Sequence, residues 1–375
     1  MNIIVLGGGM VGSAIVADLS KDFQVTCADI NPQTLQSIES KYMVKTLICD
    51  FANQDEVKNT IAPFDLVIGA VPGFLGFKVL KTIITAKKNV VDISFFPEDA
   101  FLLNDLAIKN NVTAIVDCGV APGLCNIMLG YHNKRMILHA YECLVGGLPL
   151  VRNKPWDYKA PFSPVDVIEE YTRPARYKED GKMITKEALT DIEPIEFNEC
   201  GTLEHFNTDG LRSILFTMPH IKNLKEKTLR NPGHATLMKI FRDSGFFSTE
   251  KLNIKNTEIA PIDLTSKLLF DAWKYQPDEH DFTIMRVTLT GSDDQGDLKI
   301  IYNLYDVYDV ETSIMSMART TGYTCTAAAR MVLNNTFTRK GISPPEFLGE
   351  NEDCFTFIEN HLKERKVTFT REIYR

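Results

Sequence analysis

The chain lacks the features that define several large protein classes. No apolar run approaches the roughly 20 residues that a helix needs to span a bilayer. There is no basic excess: 41 Lys and Arg stand against 49 Asp and Glu, for a formal net charge of −8. That balance argues against nucleic acid or an anionic membrane as the main partner. The eight cysteines are scattered with no C-x-x-C pair. A zinc site or disulfide framework is therefore not expected, no other metal set stands out, and a reducing cytoplasm is the expected compartment. Several of these cysteines lie in apolar strand-like runs, where Cys behaves as a small hydrophobe. Internal repeats and low-complexity tracts are missing too. Residues 2–6 are apolar but stop at glycines, so they read as a strand and not as a signal-peptide core. What remains is an ordinary globular composition, 44% hydrophobic over 375 residues, long enough for two domains.

The most informative segment is the first. Ile3-Ile4-Val5-Leu6 runs into Gly7-Gly8-Gly9-Met10-Val11-Gly12 and then into helix-like Ser13–Leu19. A second β-like run, Phe23–Ala28, ends in Asp29. Strand, G-x-G-x-x-G turn, helix and a following acid form a dinucleotide-binding fingerprint. Gly7 allows the tight turn, Gly9 lets backbone approach a pyrophosphate, and Gly12 lets the helix pack on the strand. Phosphates then meet a helix N-terminus, where free N–H groups and the dipole favour negative charge. Gly7, Gly9, Met10, Val11 and Gly12 are the expected cradle. Asp29 is placed to accept both ribose hydroxyls. It repels a 2′-phosphate, and Ile30-Asn31-Pro32 brings no cation, so NAD is favoured over NADP. The competing role for Asp29 is a helix cap before Pro32.

Strand-like segments at 2–6, 23–28, 43–48, 65–70, 89–93 and 113–117 alternate with helical ones near 10–20, 32–40, 54–61, 74–87 and 98–110. Such alternation predicts an α/β fold with an N-terminal, doubly wound parallel sheet over residues 1–123. The periodicity then changes. A helix at about 124–135 leads to β-like residues 138–146, and short strands are predicted at 196–200, 282–290 and 298–306, with a hairpin loop at 291–297. Residues 124–311 are expected to form an α+β substrate and dimerisation domain on a mixed, largely antiparallel sheet. The helical tail, about 312–375 with a last helix near 351–364, is expected to pack back on the first domain.

Further candidates follow from position at strand ends. Asp50 can reach an adenine edge or serve a turn. Ala70, Val71 and Pro72 close the fourth strand beside the switch point where ligands sit in such sheets. Asp92, Ser94 and Asp117 end later strands on the same carboxyl edge, as ligand-facing or capping residues. The middle region holds three arginine clusters: Glu169–Arg176, Asp209–Ser213 and Leu229–His234. Arg is a natural bidentate partner for a carboxylate, and His234 can move protons near neutral pH. Any one of these arginines can instead belong to a surface ion pair.

Taken together, Gly7-x-Gly9-x-x-Gly12, Val91-Asp92-Ile93-Ser94, Gly119–Gly123, Pro232-Gly233-His234, Thr321-Gly322 and Ala327–Arg330 through Pro344-Pro345-Glu346 resemble the saccharopine dehydrogenase family. The resemblance implies a Rossmann domain, an α+β catalytic domain, a homodimer and redox chemistry at a carbon bearing an amine. Val145–Pro149 and Phe162-Ser163-Pro164 with Ile168–Ala175 are most similar to the members that deaminate L-lysine at its ε-carbon with NAD. That reaction gives a 6-semialdehyde that cyclises to piperideine-6-carboxylate. Members acting on saccharopine tend to carry Asp-Pro-Gly where this chain has Ala121-Pro122-Gly123. For a lysine substrate, Arg212 or Arg173 is expected at the carboxylate, Glu170 or Asp209 at the α-ammonium, and His234 or Asp117 in proton transfer. The alternatives are a saccharopine or carboxylated-polyamine enzyme, or a non-catalytic NAD-binding sensor.

Overall fold

The computed structural model describes residues 1–162 and 164–375; Ser163, in one of the stretches carrying the resemblance, lies outside the described residues. The chain divides into two compact units. One comprises Met1–Arg135 with Ala318–Thr368, and the other Met136–Met317 with Phe369–Arg375.

In the first unit, strands β1 (Asn2–Leu6), β2 (Gln24–Asp29), β3 (Lys45–Ile48), β4 (Leu66–Gly69), β5 (Asn89–Asp92) and β6 (Thr113–Ile115) are joined by helices. These helices are α1 (Met10–Leu19), α2 (Pro32–Tyr42), α3 (Gln54–Ile61), α4 (Gly73–Thr85) and α5 (Asn104–Lys109). The strands are parallel in the order β6-β5-β4-β1-β2-β3, with the order reversing between β1 and β4. Strand β1 shows why the pattern was legible. Ile3, Ile4, Val5 and Leu6 are all fully buried, as a central parallel strand covered on both faces requires. A core of Ile4, Leu6, Val67, Val79, Ile83, Val90 and Ala114, among others, fills one side. Helix α6 (Leu124–Asn133) also belongs to this unit, so the boundary falls after Arg135 and not after residue 123. The reason is close packing: a Cβ on Gly130 of α6 would lie 2.0 Å from the Glu346 carbonyl oxygen.

The second unit is built on a mixed sheet. Its strands are β7 (Ile137–Pro149), β8 (Ala175–Glu179), β9 (Lys182–Lys186), β10 (Glu193–Phe197), β11 (Gly201–Asn207) and β12 (Asn223–Arg230). A small separate hairpin, β13 (Leu252–Ile254) and β14 (Thr257–Ile259), precedes the long pair β15 (Asp281–Asp293) and β16 (Gly296–Val307). Helices α7 (Pro164–Thr172), α8 (Ile214–Thr217), α9 (His234–Asp243) and α10 (Pro261–Trp273) lie between strands in sequence. Two expectations are corrected here. The strand predicted at 196–200 is a hairpin, with β10 and β11 flanking a turn at Asn198–Cys200. The loop predicted at 291–297 shrinks to Asp294-Gln295, because the long pair continues to Asp293↔Gly296. Most pairs are antiparallel, but β12 and β7 run parallel.

The remainder of the chain contributes to both units. Helix α11 (Ser316–Leu333) leads to β17 (Gly341–Ser343), which adds a seventh parallel strand beside β6. Helices α12 (Pro345–Gly349) and α13 (Glu352–Glu364) follow, and then β18 (Phe369–Tyr374) pairs with β16 in the second unit. The sequence reading placed the whole tail on the first domain; residues 369–374 leave it because their backbone completes the other sheet.

Helix α1 holds the returning segment through one carboxylate. Asp18 is fully buried, accepting hydrogen bonds from Thr326 Oγ1 (2.7 Å), Arg330 Nη1 (2.9 Å) and Arg365 Nε (2.7 Å). His361 Nε2 stands 3.6 Å from the same carboxylate and 2.9 Å from Thr326 Oγ1. Burial alone would raise the Asp18 carboxyl, but the hydrogen bond to His361 and the charges of Arg330 and Arg365 hold it well below the usual range. Burial lowers the pKa of His361 despite its carboxylate neighbour. Both groups bind protons more weakly folded than unfolded, so both lose stability as pH falls. The loss starts near pH 6.5, where an unfolded His protonates, and deepens near pH 4, where an unfolded Asp does. Asp18→Asn removes the carboxylate shared by buried Arg330 and half-buried Arg365, leaving them only Asp22 and Glu364 at the protein's edge, and is expected to cost about 3 kcal/mol. Urea titrations at pH 7.5, 5.5 and 3.5 check both points: the mutant keeps the His361 loss between the first two and shows a smaller further loss between the last two.

Candidate functional site

Each unit carries its own constellation. In the first, β1 ends at Leu6 and the chain turns through three glycines into α1. Gly7 adopts φ +106°, and a Cβ there would lie 2.2 Å from the Ala70 carbonyl oxygen. A Cβ on Gly12 would lie 1.9 Å from the Gly7 carbonyl oxygen. Gly9 is different: a Cβ on it would meet nothing within 4 Å. Two glycines are thus demanded by the protein's own backbone, whereas the third leaves open space at the helix start. That open cradle at a helix N-terminus fits a pyrophosphate. Met10 and Val11 form the first turn of α1 there, Met10 with its side chain exposed.

Asp29 closes β2 with both carboxylate oxygens fixed. Oδ2 accepts from Gly8 N (2.7 Å) and Oδ1 from Asn31 N (2.9 Å). The cap of α2 is Asn31, whose Oδ1 accepts from Gln33 N and Thr34 N, so Asp29 does not serve as that helix's cap. Asp50 shapes a turn, accepting from Ala52 N at 2.9 Å. Val71 is buried, and Pro72 precedes the first turn of α4. Asp92 and Ser94 depart from expectation. Asp92 is fully buried, accepts from Ser94 N (2.8 Å), and would collide with any side chain on Gly69. Ser94 packs against Gly76 of α4. Both are turned into the protein, where they fix the turn after β5. Asp117, also buried, sits at φ +53° just beyond β6. The tight loop after it gathers distant motifs: Gly119 faces Thr321, and Asn126 binds Gly123 N (3.1 Å) and Glu346 (3.0 Å).

In the second unit, a polar cluster is buried among aromatic rings. Glu204 of β11 accepts from Gly233 N (2.9 Å) and Ala235 N (2.7 Å), capping α9 so that His234 opens the helix. The ring is then held at both nitrogens, with Nδ1 2.9 Å from the Trp156 carbonyl oxygen and Nε2 2.9 Å from the Tyr171 hydroxyl. A carbonyl can only accept, so Nδ1 carries the proton and Nε2 accepts from Tyr171. Burial, reinforced by the charge of Arg230, pushes the His234 pKa to about 3. His234 is therefore neutral at physiological pH and cannot be the near-neutral proton carrier expected from the sequence.

Arg230 is the centre of this cluster. Its Nε donates to the Tyr171 hydroxyl (3.3 Å), Nη1 to the Leu229 carbonyl (2.9 Å), and Nη2 pairs with Glu170. The guanidinium also lies over the Tyr158 ring, 4.6 Å from its centroid. Burial opposes its charge but is outweighed by Tyr171, Tyr158 and Glu170, so it stays protonated. Burial raises Glu170, partly offset by Arg230. Near the pair, the Trp273 indole N–H and the Tyr275 hydroxyl are buried without a hydrogen-bond partner among the described residues. Unspent buried donors are costly, so such a group marks a place where a ligand or water completes the bonding.

The other expected substrate residues are engaged in supporting roles. Asp209 accepts from Arg176 Nε and Nη2 (both 2.9 Å) and from its backbone N–H, anchoring the start of β8. Arg173 pairs with Glu169 one turn away (3.1 Å) on α7. Arg212 is buried in the loop after β11 at φ +52°. Of the expected catalytic residues, Glu170 and His234 are brought together, through Arg230 and Tyr171. Arg230 belongs to the Leu229–His234 cluster singled out in the sequence but was given no role there, although it ends a strand in which Glu226, Thr228 and Arg230 share one face by alternation. Among the described residues, no group of three or more His, Cys, Asp or Glu is placed to hold a metal ion. No described helix is long and apolar enough to cross a membrane.

A parallel sheet with a glycine cradle, in a chain that also forms a separate α+β unit, defines the class of dinucleotide-binding α/β proteins. Two family models specify it further: "Saccharopine dehydrogenase NADP binding domain" matches residues 3–115 and "Saccharopine dehydrogenase C-terminal domain" residues 119–367. The chain belongs to the saccharopine dehydrogenase family. It is 22% identical to the mitochondrial alpha-aminoadipic semialdehyde synthase of Rattus norvegicus, over 92% of this chain and 45% of that protein. It is 23% identical to the saccharopine dehydrogenase [NADP(+), L-glutamate-forming] of Saccharomyces cerevisiae, over 69% of this chain and 61% of that one. The chain thus spans about half the length of the first of these relatives. The solved structure of the apo, histidine-tagged L-Glu-forming saccharopine dehydrogenase from Saccharomyces cerevisiae shares the fold, with a TM-score of 0.80 at 19% identity and full coverage of both chains.

The glycine geometry separates two variants. Gly12→Ala should lower Tm and weaken dinucleotide binding by at least about tenfold, a loss of about 1.4 kcal/mol. Gly9→Ala should keep the Tm and lose binding only. Thermal melts with calorimetric titration check the pair, and an unchanged Tm in Gly12→Ala would contradict the packing described.

Proposed function

We propose that the protein is a nicotinamide-dependent oxidoreductase acting at the CH–NH2 group of an amino acid, with oxidative deamination of the L-lysine ε-amine as the leading reaction. The carrying observation is the buried Arg230–Glu170 pair, with the guanidinium over the Tyr158 ring and the unspent donors of Trp273 and Tyr275 in the same aromatic cluster. A fixed cation with neutral donors suits a substrate carboxylate, and the adjoining carboxylate of Glu170 suits an α-ammonium. Arg230 takes the role that Arg212 and Arg173 held in the sequence reading. Tyr171 and His234 orient the guanidinium through Nε.

The cofactor, when bound, accepts a hydride from the amine-bearing carbon. The residues that would hold it are Gly7, Gly9 and Gly12 with the start of α1, and Asp29 at the ribose. Support for NAD is the Asp29 carboxylate, fixed by Gly8 and Asn31, with no cation among Ile30-Asn31-Pro32-Gln33-Thr34. The NADP in the names of the family domain and the yeast relative belongs to those proteins. A homodimer and a cytoplasmic location are parts of the same proposal.

A second reading, cleavage or formation of saccharopine, is favoured by the relatives' names and disfavoured by Ala121. Turnover measured across lysine, ornithine and saccharopine, with ammonia quantified in parallel, separates the two. Lysine is expected to release one ammonia per reduced cofactor; saccharopine turnover without ammonia would replace the first reading with the second. NAD is expected to exceed NADP in kcat/KM by about 100-fold, equivalent to about 2.7 kcal/mol. Asp29→Ala combined with Ile30→Arg should narrow that ratio. Arg230→Met should raise KM for the amino acid while dinucleotide binding is kept.

A further inference from the structure

With His234 neutral and held at both nitrogens, the second unit offers another group for proton transfer, a carboxyl that no ion pair engages among the described residues. Glu226 lies on β12, on the same face as Thr228 and Arg230. It is buried, and both of its hydrogen bonds converge on one oxygen. Oε2 accepts from Thr208 Oγ1 (2.7 Å) and from Gly210 N (3.0 Å). Thr208 is in turn fixed by Thr228, its hydroxyl 2.9 Å away. The cradle is tight: a Cβ on Gly210 would lie 2.3 Å from the Glu226 carboxyl carbon. This geometry holds the carboxyl group through Oε2 and leaves Oε1 for another partner.

The charges facing Glu226 come from every side of the strand. Glu170 on α7 and Asp209 after β11 are acidic. Asp209 is already neutralised by Arg176 at the start of β8. The neighbour across β7 is the uncharged Cys143, and Arg230, on the same strand, is paired with Glu170. Among the described residues, no cation is therefore spent on Glu226. Burial raises its pKa to about 8, partly opposed by the Thr208 hydrogen bond and further supported by Glu170. A carboxyl poised near the working pH is what a general base requires.

We infer that Glu226 is the general base of this site, accepting a proton on Oε1 from the ammonium group of the bound amino acid. The inference rests on the oxidoreductase reading above. In the step, one N–H bond of the ammonium breaks and its electron pair stays on nitrogen. The proton forms an O–H bond with Glu226, so a cation and a carboxylate become a neutral amine and a neutral acid. Nothing is oxidised or reduced until the hydride leaves. The requirement for a cationic group at this point favours substrates with a second ammonium, such as diamino acids.

Glu226→Gln keeps an acceptor for Thr208 and Gly210 but cannot take a proton. It is expected to lower kcat for lysine by about 100- to 10,000-fold with a smaller change in KM. In the wild type kcat/KM should rise with pH through about 8, as the carboxyl ionises, and this limb should vanish in Glu226→Gln. Thr208→Val removes a hydrogen bond that favours the ionised form, so its limb should move to higher pH, a shift that a purely structural role would not produce. An activity-independent measurement completes the test: infrared difference spectra of the full chain should show a protonated-carboxyl band at pH 6 that disappears by pH 9.5 and is absent in Glu226→Gln. Retention of a tenth or more of wild-type kcat in Glu226→Gln, or absence of the band in wild type, overturns the assignment. Should the band titrate while the wild type turns over no amino acid, the oxidoreductase reading fails, and the base role fails with it.

Discussion

The first unit depends on the Asp18 carboxylate. It is the only charge on the buried face of α1, and it meets two guanidinium groups, a hydroxyl and an imidazole that arrive from more than 300 positions later in the chain. A lone carboxylate could not be buried there, and neither could Arg330 or Arg365. The ion cluster therefore makes α1 and the returning helices mutually obligatory. Because α1 also begins at the glycine turn, the same helix carries the nucleotide cradle at one end and the fastening of the C-terminal segment at the other.

Much of this architecture was legible in the sequence because parallel strands buried on both faces read as continuous apolar runs. Residues 3–6 and 66–68 are such runs, and their boundaries fell within a residue or two of the observed strands. The failures have particular physical causes. Gly341–Ser343 is too short to carry any periodicity and becomes a strand only because β6 offers it an edge. The 196–200 segment is amphipathic in both directions, so a turn at its centre could not be told from a strand. The loop at 291–297 is rich in Gly, Asp and Ser, yet most of it extends the long hairpin, where the two-residue turn Asp294-Gln295 suffices.

The site was harder to read, and the errors share an origin. Residue type suggested His234 as a proton carrier, but its chemistry is decided by burial and by two fixed neighbours, Trp156 and Tyr171, the nearer of them 63 positions away. Asp209 and Arg173 were attractive as charged residues beside aromatics, and each proved to be engaged with a charge of its own. Glu226 drew no notice in a run that reads Lys-Glu-Lys, since a charged alternation is ordinarily a solvated face. Strand pairing makes the difference: β12 lies inside the sheet between β11 and β7, so Glu226 and Lys227 are buried on its two faces while Lys225 stays partly in water.

The route of the chain between the units also bears on how the protein is made. The chain passes from the first unit to the second after Arg135, returns after Met317 and crosses once more after Thr368. The seventh strand of the first sheet and the edge strand of the second are both drawn from residues beyond 340. During synthesis on the ribosome, neither sheet can therefore be completed as an N-terminal domain that folds and waits. Both stay open, with unpaired edges at β6 and β16, until residues 341–343 and 369–374 have been made. Each sheet thus takes its last strand from the same late stretch of the chain.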